Sequence, residues 1–308
     1  MRAAVIGAGG IGGYLGALLA RGGADVLLVA RGPHLEALRR RGLTLESQLF
    51  GTFTVQPPAR GEVRDWGAVD VVLFCVKTYD LAAAAHQYRD LVGQHTAVIP
   101  VQNGIDVAEH LGAILGTEHI LGGLTYVAGR LLEPGRVRQQ GHARELVFGE
   151  LEGRLTGRVG EIADYLSAHG VPVDLRADMR LLLWEKFVVI CATSGVLAMT
   201  RLPFGKVFAC SETTALMRGV MEEVYAVGRR RGVPLSPDLV DRLLQYLQRQ
   251  MAPEARSSQL TDLEAGRPLE LEFLNGAAVR LGRESGVPTP LNHALYAALK
   301  PYVGGAPA

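Results

Sequence analysis

A chain of 308 residues, 48% hydrophobic and 20% charged, is long enough for about two domains and too apolar for a disordered polymer. Lys and Arg (32) nearly balance Asp and Glu (31), for a formal net charge of +1, so the global basic field of a nucleic-acid binder is absent. Cys75, Cys191 and Cys210 are far apart and form no C-x-x-C, which argues against a disulfide framework and fits a reduced, cytoplasmic compartment.

Met1 to Ile6 is a short apolar run of strand character, followed by Gly7-Ala8-Gly9-Gly10-Ile11-Gly12, which fits G-x-G-x-x-G, and by a helix over residues 13–20. In such a turn the first glycine permits the tight bend. The second lets the backbone approach a pyrophosphate, and the third lets the helix pack on the strand. The first helical turn then points free N–H groups and the positive end of its dipole at the phosphates. A glycine pattern alone is weak, and its place between a strand and a helix makes it a dinucleotide-binding signature. The same apolar residues argue against reading the N-terminus as a signal peptide.

Asp25 to Ala30 is a second buried strand that ends at Arg31-Gly32. In this arrangement the end of the second strand reads the adenosine ribose. A carboxylate there suits the 2′-hydroxyl of NAD, and an arginine suits the 2′-phosphate of NADP. Arg31 is therefore either a ligand of NADP(H) or a solvated loop arginine. Residues 33–41 read as a short helix, and residues 43–47 and 52–56 as a hairpin around Gly51. Val69 to Val76 is a continuous apolar run, as in a parallel strand covered on both faces, and ends at Lys77-Thr78. Residues 79–92 are helical in pattern. Thr96 to Val101 is the next strand, ending at Gln102-Asn103-Gly104, and residues 105–115 are a further helix. This alternation predicts a doubly wound sheet. Gly7, Arg31, Lys77 and Asn103 each follow the C-terminal end of a predicted strand, the edge where open α/β sheets bind ligands. Lys77 and Asn103 are each a ligand contact or an ordinary solvated or turn residue.

Leu121 to Val127, Val137 to Gln140 and Glu145 to Phe148 look like antiparallel strands, with Glu133 to Arg136 as a turn. A helix over 161–169 and an edge strand over 171–175 close the first domain, predicted as residues 1–177. Residues 178–308 have almost no strand signal and read as a helical domain. Its helices are expected over 179–200, bent at Ser194-Gly195, then over 212–231, 237–250, 260–265, 269–284 and 290–302. The polar residues within the long apolar stretch after Lys186 favour a buried core helix over a membrane span. The default active site is the cleft between the two domains.

Lys186 lies inside this nearly all-apolar helix, in Leu183-Trp184-Glu185-Lys186-Phe187-Val188. Burial would lower its pKa and make it a proton donor near neutral pH, whereas a lysine that snorkels or pairs with Glu185 would be purely structural. A second polar stretch runs from Arg256-Ser257-Ser258 to Leu269-Glu270-Leu271-Glu272, and a helix-capping segment would look similar. No H-E-x-x-H, G-x-S-x-G or P-loop occurs, and no metal site is expected.

With these residues in order over essentially the whole chain, the sequence resembles the ketopantoate reductase family (2-dehydropantoate 2-reductase). The matching elements are the glycine turn, Arg31, Val76-Lys77-Thr78, Gln102-Asn103-Gly104, Leu183-Trp184-Glu185-Lys186, Ser257-Ser258 and Leu269 to Glu272. The resemblance implies NADPH-dependent reduction of ketopantoate to pantoate, in pantothenate and coenzyme A synthesis. It implies Lys186 as catalytic proton donor and Glu270 as catalytic and substrate-binding acid that also touches the cofactor. Ser258 would hold the substrate carboxylate, Asn103 both nicotinamide and substrate, and Lys77 and Arg31 the cofactor. The chain departs from the family where asparagines follow the lysine by four and eight residues: here stand Ile190 and Ser194 on the same helical face as Lys186. Phe204 aligns with a further family asparagine. These departures bear on the substrate more than on the reaction type. A related dehydrogenase of another 2-hydroxy acid, and a non-catalytic NADP(H) sensor, are the alternatives. Retention of Lys186 with Glu270 speaks against the sensor. The expected partner is a small 2-keto acid, with no nucleic acid and no membrane; a homodimer is left open.

Overall fold

A computed structural model describes residues 1–307. The chain divides into two compact units: Met1–Gln102 with Val107–Met179, and Asn103–Asp106 with the chain from Arg180 onward. A single cut in the sequence does not foresee that residues 103–106 pack with the second unit.

The first unit begins β1 (Arg2–Ile6), α1 (Gly10–Arg21), β2 (Asp25–Val29), α2 (Gly32–Arg41), β3 (Leu43–Ser47), β4 (Gly51–Val55), β5 (Ala59–Arg60) and β6 (Val69–Phe74). It continues α3 (Leu81–Gln87), β7 (Val92–Pro100), α4 (Val107–Leu115), β8 (Gly122–Thr125), β9 (Ala128–Glu133), β10 (Arg136–Gln140), β11 (Leu146–Gly149), α5 (Gly157–Ala168) and β12 (Val173–Leu175). Five strands form an all-parallel sheet in the order β5-β2-β1-β6-β7. The Val- and Leu-rich runs of β1, β2 and β6 are buried on both faces, which is why they lack alternation. In register, Ile6 lies beside Val29 and Phe74, and Phe74 beside Pro100. The carboxyl ends of four strands are therefore level, and the turns that follow them share one edge.

The later strands do not form one antiparallel group. They divide between a four-stranded sheet, β4-β3-β10-β9, and a three-stranded sheet, β12-β11-β8. β10 pairs parallel with β3 and β11 parallel with β12, so only β9–β10, β8–β11 and the β3–β4 hairpin are antiparallel. β9 escapes a sequence reading because nearly all of its residues are exposed, so no apolar alternation marks it. One core joins these sheets, with Leu15, Leu19, Leu28, Leu45, Leu73, Val137 and Phe148 among its members. Each such side chain contributes roughly 1.5–3 kcal/mol on full burial.

The second unit contains α6 (Met179–Thr200) from Arg180, α7 (Phe204–Phe208), α8 (Ser211–Arg230), α9 (Leu239–Gln250), α10 (Ser258–Glu264), α11 (Asn275–Ser285) and α12 (Pro290–Leu299). By length and composition α6 could cross a membrane, but Phe187, Val188, Cys191, Val196 and Leu197 belong to the core of this unit. The helix runs unbroken through Ser194-Gly195. Gly195 is needed instead for close packing, since a β-carbon there would lie 2.8 Å from Asn275 and Leu295. The single helix expected over 269–284 is two pieces, a 3-10 turn at Leu271–Phe273 and then α11. The break has a visible tie. The fully buried Asn275 amide donates to the Cys191 carbonyl on α6 (3.1 Å) and to Asn292 Oδ1 (3.0 Å). Asn292 in turn donates to Glu223.

Candidate functional site

The glycine turn separates three demands. Gly7 has φ +93°, a region that L side chains rarely adopt, and its N–H and that of Ala8 donate to the Val29 carbonyl at 3.0 and 3.1 Å. Gly12 packs α1 onto the strands, since a β-carbon there would meet Gly7 O at 2.1 Å and Val5 at 2.9 Å. Gly9 is different: a β-carbon would meet nothing within 4 Å and would project into open space ahead of the first turn of α1. That cradle, bounded by backbone N–H groups at a helix start, suits a pyrophosphate. Gly10 and Ile11 complete the turn. At Gly10 a β-carbon would lie 2.2 Å from the Gly129 carbonyl, so that glycine answers to β9 rather than to a ligand.

His34 was not singled out by its sequence context, yet it braces the turn. The Gly135 N–H donates to His34 Nδ1 at 3.0 Å, which leaves Nε2 to donate to the Ala8 carbonyl at 2.8 Å. This pair of bonds requires the neutral tautomer, and burial lowers the ring's pKa in agreement. Arg31 stands directly after β2 with its side chain 79% exposed, and its guanidinium donates to Asp80 Oδ2 at 2.5 Å. Lys77 is half-buried and precedes the 3-10 turn Thr78–Asp80 that follows β6. Gly7, Arg31 and Lys77 thus line the level strand ends of the parallel sheet.

In the second unit Lys186 and Glu270 are each only 8% exposed. Burial pushes the Lys186 ammonium down to about 8, and the Glu270 carboxylate pulls the other way. Glu185 lies 3.6 Å from Arg242, so its ion pairing runs to α9. The Ser257-Ser258 pair splits its duties. Ser257 is buried and caps α10, its hydroxyl accepting from Leu260 N–H at 3.1 Å, while Ser258 is exposed. Asn103 is half-buried in the segment 103–106, whose Asp106 is ion-paired with Arg280 of α11. Ile190 is partly exposed and packs against the helical core. Ser194 is fully buried, its hydroxyl has no hydrogen-bond partner, and Gln259 donates to its carbonyl at 3.4 Å. Phe204 belongs to the core and stacks on Phe208, with centroids 6.0 Å apart.

A glycine-turn parallel sheet, and a helical unit with a buried lysine under the charge of a buried carboxylate, are the marks of a Rossmann-type oxidoreductase. Residues 3–153 match the family described as Ketopantoate reductase PanE/ApbA, and residues 178–303 match its C-terminal part. The chain is 32% identical over 322 aligned positions to the 2-dehydropantoate 2-reductase of Mesorhizobium japonicum, covering 97% of both chains. The PanE/ApbA family ketopantoate reductase of Ralstonia eutropha JMP134 superposes with a TM-score of 0.90 at 35% identity over 98% of each chain. The fold alone is shared with a D-mandelate dehydrogenase solved with NADH and anilino(oxo)acetate (TM-score 0.90, 21% identity, 98% of each chain). The chain belongs to the ketopantoate reductase family.

Proposed function

We propose that this chain reduces a small 2-keto acid with NADPH, with ketopantoate as the first candidate and pantoate as its product. A bound nicotinamide would supply the hydride to the keto carbon. Gly9 and the start of α1 would hold the pyrophosphate, and Arg31 and Lys77 the ribose end. Lys186 would give its proton to the keto oxygen as negative charge develops there, and its ammonium would stabilise the developing alkoxide. Glu270 would hold the Lys186 ammonium in position, and Ser258 and Asn103 would bind the substrate.

The observation that carries this reading is the buried Lys186, whose ammonium feels the charge of the equally buried Glu270 carboxylate. A lysine brought down to about 8 still holds its proton at neutral pH, yet releases it far more readily than an exposed one. The deciding experiment is NADPH oxidation across a panel of 2-keto acids. High kcat/KM confined to ketopantoate would name the substrate, and absence of turnover on every acid would refute the reductase reading.

A second reading, another 2-keto acid as substrate, is favoured by Ile190 and Phe204. Both are packed apolar side chains where the family resemblance sets asparagines, so the amide groups that the resemblance implies for substrate recognition would be missing. A site with fewer hydrogen-bonding groups discriminates less strongly.

A further inference from the structure

We propose that Asp80 sets how strongly this chain discriminates NADPH from NADH, by competing with the ribose 2′-phosphate for the guanidinium of Arg31. The inference rests on the reading of Arg31 as the phosphate ligand.

Arg31 leaves the end of β2, and Asp80 closes the turn after β6. β1 lies between these strands, so the two side chains reach toward each other past the end of β1 to form their 2.5 Å contact. The two partners are unequally held. Asp80 is 28% exposed, and its own N–H donates to the Lys77 carbonyl at 2.9 Å, which fixes the turn. Arg31 is a long side chain, 79% exposed. Only one terminal nitrogen meets Asp80, so the remaining donors can reach a ligand from the solvent side.

The charges decide the direction of the effect. A phosphate monoester carries about −1.5 to −2 near neutral pH. Arg31 and Lys77 attract it, and the Asp80 carboxylate repels it and occupies one Arg31 donor. An exposed ion pair is weak enough for such an anion to displace, but the repulsion stays. A 2′-hydroxyl carries no charge and can donate to a carboxylate. Asp80 therefore penalises NADPH and spares NADH, and it narrows the preference that Arg31 creates.

The test is direct binding of NADPH and of NADH to the full chain by calorimetry. It compares the parent, Asp80→Asn, Asp80→Ser, Arg31→Ala and the Arg31→Ala/Asp80→Asn double variant, at about 0.05 and 0.5 M salt. Asp80 caps no helix with its side chain, so Asn should leave the turn intact, and Ser is the second variant should it not. We expect Asp80→Asn to tighten NADPH by about three- to tenfold with NADH unchanged or slightly weakened, and the gain to shrink at high salt. The gain should be smaller in the Arg31→Ala background. An unchanged NADPH/NADH ratio, or weaker NADPH binding, in Asp80→Asn would overturn the proposal while Arg31→Ala still impairs NADPH. If Arg31→Ala itself leaves NADPH binding intact, the phosphate lies elsewhere, and the underlying reading fails with the proposal.

Discussion

On the proposed reading, Lys186 carries the chemistry of the second unit in one side chain. Replacing it with alanine is expected to lower kcat by about 10²–10⁴-fold, the usual range for a general acid, with NADPH affinity nearly unchanged. Stopped-flow reduction and separate cofactor titration would check both halves. Its pKa near 8 also gives a sign to the pH dependence. The donor form prevails below that value, so kcat/KM for reduction should fall as pH rises through about 8. A profile flat to pH 10 would remove Lys186 from the proton transfer. His34 makes the opposite kind of statement about stability. Its folded pKa is depressed, so the unfolded chain binds the proton more readily. Its contribution is full above roughly pH 6.5, the unfolded value, and is lost as pH falls through the folded pKa. A His34→Gln variant should lack that acid limb in a series of melting temperatures. At Ile190 the expectation concerns substrate. Ile190→Asn should raise the ratio of kcat/KM for ketopantoate over an unhydroxylated 2-keto acid by about 2- to 13-fold, the worth of one neutral hydrogen bond. A ratio that stays put would mean that Ile190 does not face the substrate. Ser194 offers less support for that helical stripe, because its hydroxyl is sealed in the core.

At the scale of elements, the glycine turn shows how one motif serves two masters. Gly9→Ala places a methyl in open space, so the fold should tolerate it better than the change at Gly10 while cofactor affinity drops at least about tenfold by obstruction. Gly10→Ala drives its methyl against the Gly129 carbonyl of β9, a backbone atom that cannot swing aside. It should cost about 1–3 kcal/mol of stability. Thermal melts paired with NADPH titration separate the two effects; equal stability losses in both variants would refute the distinction. The glycine pattern was legible because strand, turn and helix are contiguous, whereas the neighbour that constrains Gly10 is more than a hundred residues away. The 3-10 turn after Glu270 was illegible for a related reason. Leu269 to Glu284 reads as helix apart from Asn275-Gly276, and the break comes where buried Asn275 ties to Cys191 and Asn292.

At the scale of the molecule, each of the two units has a core of its own construction. A ligand stabilises the unit that holds it by RT ln(1 + [L]/Kd), about 2.7 kcal/mol at a hundredfold excess over Kd. Calorimetry should therefore show NADPH raising the melting of the first unit more than that of the second. One transition that moves as a whole would show that the cores unfold as one. The periodicity of the chain was sufficient to foretell a parallel sheet followed by helices, and the residues at the strand ends. These features depend on neighbours a few positions apart, through burial on both faces of a strand or one stripe of a helix. The strand partners of β10 and β11, the Arg31–Asp80 pair and the brace of His34 on the glycine turn were decided by tertiary structure. Each joins residues that only the folded chain brings within a few ångströms. There distance and burial, rather than residue type, determine which groups share a proton, a charge or a hydrogen bond.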